Sequence, residues 1–439
     1  MSALLGIDVG TSATKVIASD DAGRVLGTGS APYPLQSPRP GWTEQDPASW
    51  WHATITATRV ALADAKLAPD TIAAIGLSGQ MHGSVLLDRA TVQAEGRADA
   101  TLRPAILWND QRTARQCTEI EAAAGGKRAL VELVGNAALP GFTLPKLLWV
   151  RAHEPAIFEQ VAALLLPKDY VRFRLTGALG TDVGDAAGTL LLDVDRRTWS
   201  DRAATNVRID PAILPPVFES GAPAGTLSAF AAEQLGLRAG IPVAAGSGDN
   251  MAGAVGAGVV APGVVLATLG TSGVIYAHAD EARRDLGDPP GRLHTMCAAD
   301  GTASHPGAWC VTGCTLSAAG SLQWCRDRLF ADASFDDLIA EAAGAPPGCE
   351  GLLFLPYLTG ERCPHPDPHA RGAWVGMALR HDRSHLVRAV LEGVALTMAQ
   401  ILHIVVESGV PVTEIRIGGG GARSPLWRQI LADADLGDG

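Results

Sequence analysis

Apolar residues along the first 35 positions fall in short runs broken by small polar clusters, with no helical spacing. Residues 4–8 form one run, 15–18 a second and 24–26 the start of a third. Gly10-Thr11-Ser12 and Asp20-Asp21-Ala22-Gly23 separate them. This pattern predicts a meander of strands joined by tight turns. Residues 50–65 change period and read as an amphipathic helix, with Asp46 as its cap and Pro47 in its first turn. Residues 72–77, 85–88 and 105–108 return to strand patterning, and the polar turn Ser78-Gly79-Gln80-Met81-His82-Gly83 follows the first of these.

A proline-rich surface stretch over 211–223 leads to a strand at 241–245 and to Gly246-Ser247-Gly248-Asp249-Asn250. Beyond it, residues 264–269, the turn Gly270-Thr271-Ser272-Gly273 and residues 274–276 form a second hairpin built like the first. Two hairpins of one design predict two lobes of one design. The division is placed at 243/244, giving lobes 1–243 and 244–439. Residues 386–406 predict a long core helix, interrupted by Gly393 and ended by Gly409. A strand at 415–417 runs into Gly418-Gly419-Gly420-Gly421, and Ser424-Pro425 opens a last helix through residue 434.

Composition narrows the function. Of 439 residues 47% are hydrophobic and 18% charged, which is enough apolar material for a folded core. The net charge of −11 leaves no basic footprint for nucleic acid. Seven scattered cysteines without a C-x-x-C pair read as free thiols of a cytoplasmic protein rather than a zinc site. The start has no basic segment before its apolar run, so it is not read as a signal peptide. Residues 251–279 contain no charged side chain, but their glycines and Pro262 predict short buried strands and a Gly-rich helix rather than a membrane span.

Small-residue turns between strands expose backbone N–H groups to a concavity that a phosphate can enter. Neither Gly10-Thr11-Ser12 nor Gly270-Thr271-Ser272 matches the Walker pattern, and each also reads as an ordinary hairpin turn. Asp8, directly before the first turn, suggests Mg²⁺ between its carboxylate and a phosphate, or simply a turn-stabilising Asx residue. Asp249 reads equally as a general base for a hydroxyl or as a helix cap. His82 fits a sugar contact or a plain loop residue, and the 418–421 glycines fit a nucleotide approach or a flexible connector.

Nine motifs in order resemble the FGGY family of carbohydrate kinases, within the actin-like ATPase superfamily. They are Gly6-Ile7-Asp8-Val9-Gly10-Thr11-Ser12, Trp42-Thr43-Glu44-Gln45-Asp46-Pro47, Gly79-Gln80-Met81-His82-Gly83, Leu107-Trp108-Asn109-Asp110 and Leu166-Pro167-Lys168-Asp169-Tyr170. The remaining four are Gly248-Asp249-Asn250, Leu269-Gly270-Thr271-Ser272-Gly273, the 355–362 stretch ending Gly360-Glu361-Arg362, and Gly419-Gly420-Gly421-Ala422-Arg423-Ser424. The resemblance implies an α/β chain of two ribonuclease-H-like lobes around a cleft that takes ATP and a sugar. It places the general base on Asp249, the Mg²⁺-associated aspartate on Asp8, and sugar contacts on Met81, His82, Asp249 and Asn250. ATP would meet Gly10, Thr11, Ser12, Gly270, Thr271, Ser272, Gly419, Gly420, Gly421 and Ser424. The Gln-Met-His-Gly motif favours D-xylulose over glycerol as acceptor. A kinase for another sugar or polyol is the nearest alternative. A non-catalytic ATP-binding scaffold is the further one, disfavoured by Asp8 and Asp249 together. Dimers occur in the family, so a homodimer is the assembly the resemblance allows. Family members usually continue past the position of Gly439, so a shortened second lobe with exposed apolar surface and a weakened nucleotide site is expected.

Overall fold

The computed structural model describes residues 2–434. The chain divides into two compact units, residues 1–256 with 296–309, and 257–295 with 310–439. The sequence placed the division at 243/244. The first unit runs further because the short strand Ser247–Gly248 pairs with one of its central strands. The return of 296–309 to this unit carried no sequence signal.

In the first unit β1 (Ala3–Val9), β2 (Ala13–Asp20) and β3 (Val25–Pro32) form the expected meander. Along β1, Ala3, Leu5, Ile7 and Val9 are buried, which turns Gly6 and Asp8 to the opposite face. Helix α1 (Pro47–Ala65) starts where Asp46 accepts a hydrogen bond from Ala48 N at 3.0 Å, and Lys66 closes it in a left-handed conformation. Its stripe of Ala53, Ala57 and Ala61 lies on the meander. A Cβ at Gly29 would stand 2.0 Å from the Ala57 carbonyl, so this close approach requires glycine.

Strand β4 (Ile72–Gly79) then joins β1 in parallel. Helices α2 (Thr143–His153), α3 (Pro167–Thr176) and α4 (Val183–Ala187) follow. Strands β5 (Pro223–Thr226), β6 (Pro242–Ala244) and β7 (Ser247–Gly248) complete the sheet. Its order is β5-β6-β4-β1-β2-β3, with β7 also on β4. Helix α5 (Asp249–Gly256) leaves directly from β7. Buried beneath lies a charge cluster: Lys168 Nζ is 2.7 Å from both Asp169 Oδ1 and Asp182 Oδ1 and 3.5 Å from Asp185 Oδ2. Burial opposes the ammonium charge, but the three carboxylates outweigh it and raise the Lys168 pKa.

The second unit repeats the frame. Strands β8 (Gly263–Leu269) and β9 (Gly273–Ala279) form the second hairpin, so the uncharged 251–279 stretch is a helix end and two strands. With β10 (His294–Cys297), β11 (Trp309–Thr315) and β12 (Val412–Gly418) the sheet order is β10-β11-β9-β8-β12. Helix α6 (Ala319–Leu329) docks on the hairpin turn. Helix α7 (Arg383–Glu407) is continuous through Gly393. That glycine is no interruption; a Cβ there would stand 2.1 Å from the Phe354 carbonyl, so it permits close packing. By length and composition α7 could cross a membrane, yet 67% of its most apolar window is buried inside the unit. Helix α8 (Pro425–Asp433) is capped by Ser424, whose hydroxyl accepts from Trp427 N at 3.2 Å. Leu396 and Val406 on α7 are exposed and face, with Ile415 and Ile417 of the edge strand β12, an open groove of about 1580 Å³. All seven cysteines are free.

Candidate active site

Three parallel strand ends define the site of the first unit. Asp8 of β1 stands opposite Ser78 of β4, which stands opposite Ser247 of β7. One residue on, Val9, Gly79 and Gly248 form the next row. The chain leaves these carboxyl ends as the 10–12 turn, the 80–83 loop and helix α5. Open α/β sheets gather ligands at this edge. The register thus brings Asp8, Gly10, Thr11, Ser12, Met81, His82, Asp249 and Asn250 to one rim.

Each element is held by specific contacts. Gly10 N donates to Ala13 O at 3.1 Å, closing the turn, and Tyr33 Oη donates to Gly10 O. Trp108 Nε1 donates to the Thr11 hydroxyl at 3.0 Å. Gln80 N donates to Val9 O at 2.8 Å, which fixes the loop to β1. His82 adopts a left-handed backbone, φ 66°, uncommon for a residue with a Cβ. Its carbonyl accepts from Lys146 Nζ at 2.8 Å and Thr143 Oγ1 at 3.1 Å, both from α2. A Cβ at Gly188 would lie 2.3 Å from the His82 ring, and one at Gly248 would lie 2.6 Å from Met81 Cγ. Both glycines therefore make room for the loop. Asn250 Nδ2 lies 3.7 Å from Met81 Sδ, joining α5 to the same loop.

The two carboxyls are electrostatically unusual. Asp249 opens helix α5 with its side chain accessible to solvent, and the protein around it still desolvates the carboxyl. Desolvation, and then the Asp8 charge, raise its pKa from 3.8 to about 6. The Asp8 pKa is also raised by burial, against the opposing effects of the Ser78 hydroxyl and the Lys15 ammonium. Asp8 Oδ1 is buried without a hydrogen-bond partner. A group near pKa 6 can accept a hydroxyl proton at neutral pH, and an orphaned carboxylate oxygen fits a cation. Among the described residues no three His, Cys, Asp or Glu side chains gather as a self-sufficient metal cage.

In the second unit β8 and β12 run in parallel, with Thr268 opposite Gly418. Here the turn Gly270, Thr271, Ser272 and the stretch Gly419, Gly420, Gly421 meet at the strand ends. Gly270 N donates to Ser272 O at 3.0 Å, while Ala318 N and Ala319 N donate to Thr271 O and Gly270 O at 2.8 Å each. The three later glycines differ in kind. Gly419, φ 84°, sits where a Cβ would be 2.5 Å from Leu269 O. A Cβ at Gly421 would be 2.9 Å from the Leu269 side chain. Gly420 has nothing within 4 Å of such a position, so it alone leaves open space at its surface. Ser424 stands three residues beyond, engaged as the cap of α8.

Sequence reasoning missed the supports. Lys146 and Thr143 hold the His82 carbonyl; the available signal was a lysine inside the apolar run of α2. Glu361 is buried and receives Thr315 Oγ1 at 2.5 Å and Arg362 N at 2.7 Å, fixing the exit of β11. Its motif was visible, but not its task.

Two α/β units, each with an antiparallel hairpin, a parallel return strand and a small-residue turn at the strand ends, define a two-domain ATPase-type phosphotransferase fold. The chain belongs to the FGGY family of carbohydrate kinases: the N-terminal domain of that family matches residues 3–256 and its C-terminal domain residues 265–435. The xylulose kinase of Escherichia coli K12 is 42% identical over 429 residues, covering 98% of this chain and 84% of that protein. The xylulose kinase of Bacillus subtilis 168 is 39% identical, with 99% and 83% covered. A crystal structure of a xylulose kinase from Brucella ovis superposes with a TM-score of 0.88 at 38% identity, covering 98% of this chain and 84% of that one. The chain is thus an ATP-dependent carbohydrate kinase with the ribonuclease-H-like fold of its family.

Proposed function

We propose that the chain transfers the γ-phosphoryl group of ATP to D-xylulose, giving D-xylulose 5-phosphate and ADP. The observation that carries the chemistry is Asp249. It is a carboxyl raised to about pKa 6, at the end of β7, beside the Met81-His82 loop. At neutral pH it is mostly ionised and accepts the proton of the sugar's terminal hydroxyl as that oxygen attacks phosphorus. His82, Met81 and Asn250 orient the sugar. The left-handed His82 backbone is secured from α2, and its imidazole packs against the Phe142 ring at 4.5 Å between centroids. The acceptor assignment rests on the xylulose kinases among the relatives and on the Gln80-Met81-His82-Gly83 loop.

Asp8 would hold Mg²⁺ together with water and phosphate oxygens. Its buried, unpartnered oxygen is the feature that fits the ion. When bound, magnesium neutralises phosphate charge. The turns Gly10-Thr11-Ser12 and Gly270-Thr271-Ser272 offer backbone N–H groups to the phosphates. The adenosine end is assigned to Gly419, Gly420, Gly421 and Ser424. Within this group Gly420 permits the closest approach and the others shape the backbone around it. The test is an acceptor panel with Mg-ATP, with products identified by ³¹P NMR. A 5-phosphate of D-xylulose at the highest kcat/KM supports the reading. Preferred phosphorylation of another sugar or polyol removes the substrate assignment, and ATP binding without any acceptor turnover removes the catalytic one.

A further inference from the structure

Gln45 ends the short strand Glu44–Gln45 and is fully buried. Its amide makes four hydrogen bonds. Nε2 donates to Thr11 O at 2.7 Å and Pro34 O at 3.4 Å. Oε1 accepts from Trp50 Nε1 and from Gln80 Nε2, each at 3.0 Å. The indole is a donor only, so it fixes which end of the amide is oxygen and aims the NH₂ at the two carbonyls. The partners come from the turn after β1, the segment after β3, helix α1 and the loop after β4. A buried amide is costly unless its donors and acceptors are met, and an apolar side chain of the same length would fill the space. The amide therefore contributes orientation beyond packing.

We propose that Gln45 is a positioning residue that ties the Thr11 turn to the Gln80 loop, setting the phosphate-binding backbone of the first unit against its sugar-binding loop. This rests on the functional reading above, in which those two segments receive ATP and sugar. The two ends of the amide are separable by substitution. Gln45→Glu keeps the acceptor for Trp50 and Gln80 but opposes a carboxylate to the Thr11 and Pro34 carbonyls. Gln80→Met removes only the donor from the sugar loop.

The test measures both KM values, kcat and thermal midpoint for the two variants, with hydrogen exchange at residues 10–13 and 81–83. Gln45→Glu is expected to raise the KM for Mg-ATP about tenfold and leave that for D-xylulose within about twofold, the loss of one to two buried hydrogen bonds. Gln80→Met is expected to raise the D-xylulose KM about fivefold with little change for Mg-ATP. Exchange should accelerate at 10–13 in the first variant and at 81–83 in the second. Should Gln45→Glu not fold, Gln45→Met removes all four bonds without adding charge and is expected to raise both KM values. Equal changes in both KM values for Gln45→Glu and for Gln80→Met, or a lowered thermal midpoint with both KM values intact in any of the three variants, would overturn the proposal. Absence of xylulose-dependent turnover in the unsubstituted protein would instead overturn the functional reading.

Discussion

The two units share a frame and differ in what stands at the ends of its strands. In each, an antiparallel hairpin gives its first strand a parallel partner delivered after a long helix: β1 with β4 after α1, and β8 with β12 after α7. In each, the residue two places before the turn glycine faces away from the core. That residue is Asp8 in the first unit and Thr268 in the second. The first unit adds a third strand end, β7, from which Asp249 follows; in the second, the parallel partner β12 ends in Gly418 and the following glycines. The backbone frame therefore supplies a small-residue turn twice, while the two carboxyls proposed for base and metal, Asp8 and Asp249, both stand in the first copy. Fold repetition and functional division are separate properties of the chain.

This contrast can be broken at its strongest point first. Asp249→Asn keeps the shape of the side chain and removes the base, so xylulose-dependent kcat should fall about 10³-fold. Asp8→Asn should lower kcat/KM by about 10²-fold and raise the Mg²⁺ concentration needed for half-maximal rate. The matching change in the second unit, Thr268→Val, should cost less than about threefold, since no charge is lost there. A large loss in that variant would erase the distinction between the two copies.

The glycines sharpen the comparison next. Gly419→Ala forces a Cβ into the Leu269 backbone at positive φ and should lower stability by about 2 kcal/mol or more, read as a fall in thermal midpoint. Gly420→Ala meets open space, so the thermal midpoint should hold while the KM for Mg-ATP rises about threefold. Equal destabilisation of the two would contradict the separation drawn between them.

The comparison also has a pH signature. Asp249 works as a base only when ionised, so kcat/KM should fall about tenfold per unit as pH drops below about 6. The stability sign follows from the same shift. A carboxyl raised from 3.8 to about 6 favours the protonated folded state, so its stabilising contribution is full below pH 3.8 and lost as pH rises through 6. Asp249→Asn should therefore melt above the unsubstituted chain at pH 7–8, with the difference closing between pH 6 and 4. A constant difference across that range would show that the carboxyl titrates elsewhere.

The hairpins, α1 with its Asp46 cap, α7 and the Ser424 cap were all legible because short-range pattern and turn chemistry decide them. The candidate site residues were legible as motifs, and their gathering within each unit follows from strand register. Other features depend on partners far apart in the chain. The buried Lys168 cluster needs Asp182 and Asp185 from a separate helix and its cap. Gln45 needs Thr11, Pro34, Trp50 and Gln80 at once. Gly393 read as an interruption because its reason, the Phe354 carbonyl, is 39 residues away.

The central claim is that Asp249 deprotonates D-xylulose for attack on ATP. It is tested most directly by ADP release with Mg-ATP, with and without D-xylulose, in the unsubstituted chain and in Asp249→Asn, alongside nucleotide and sugar binding in the same samples. Xylulose-dependent release should disappear in the variant while both ligands still bind. Release that survives in the variant at a comparable rate would contradict it.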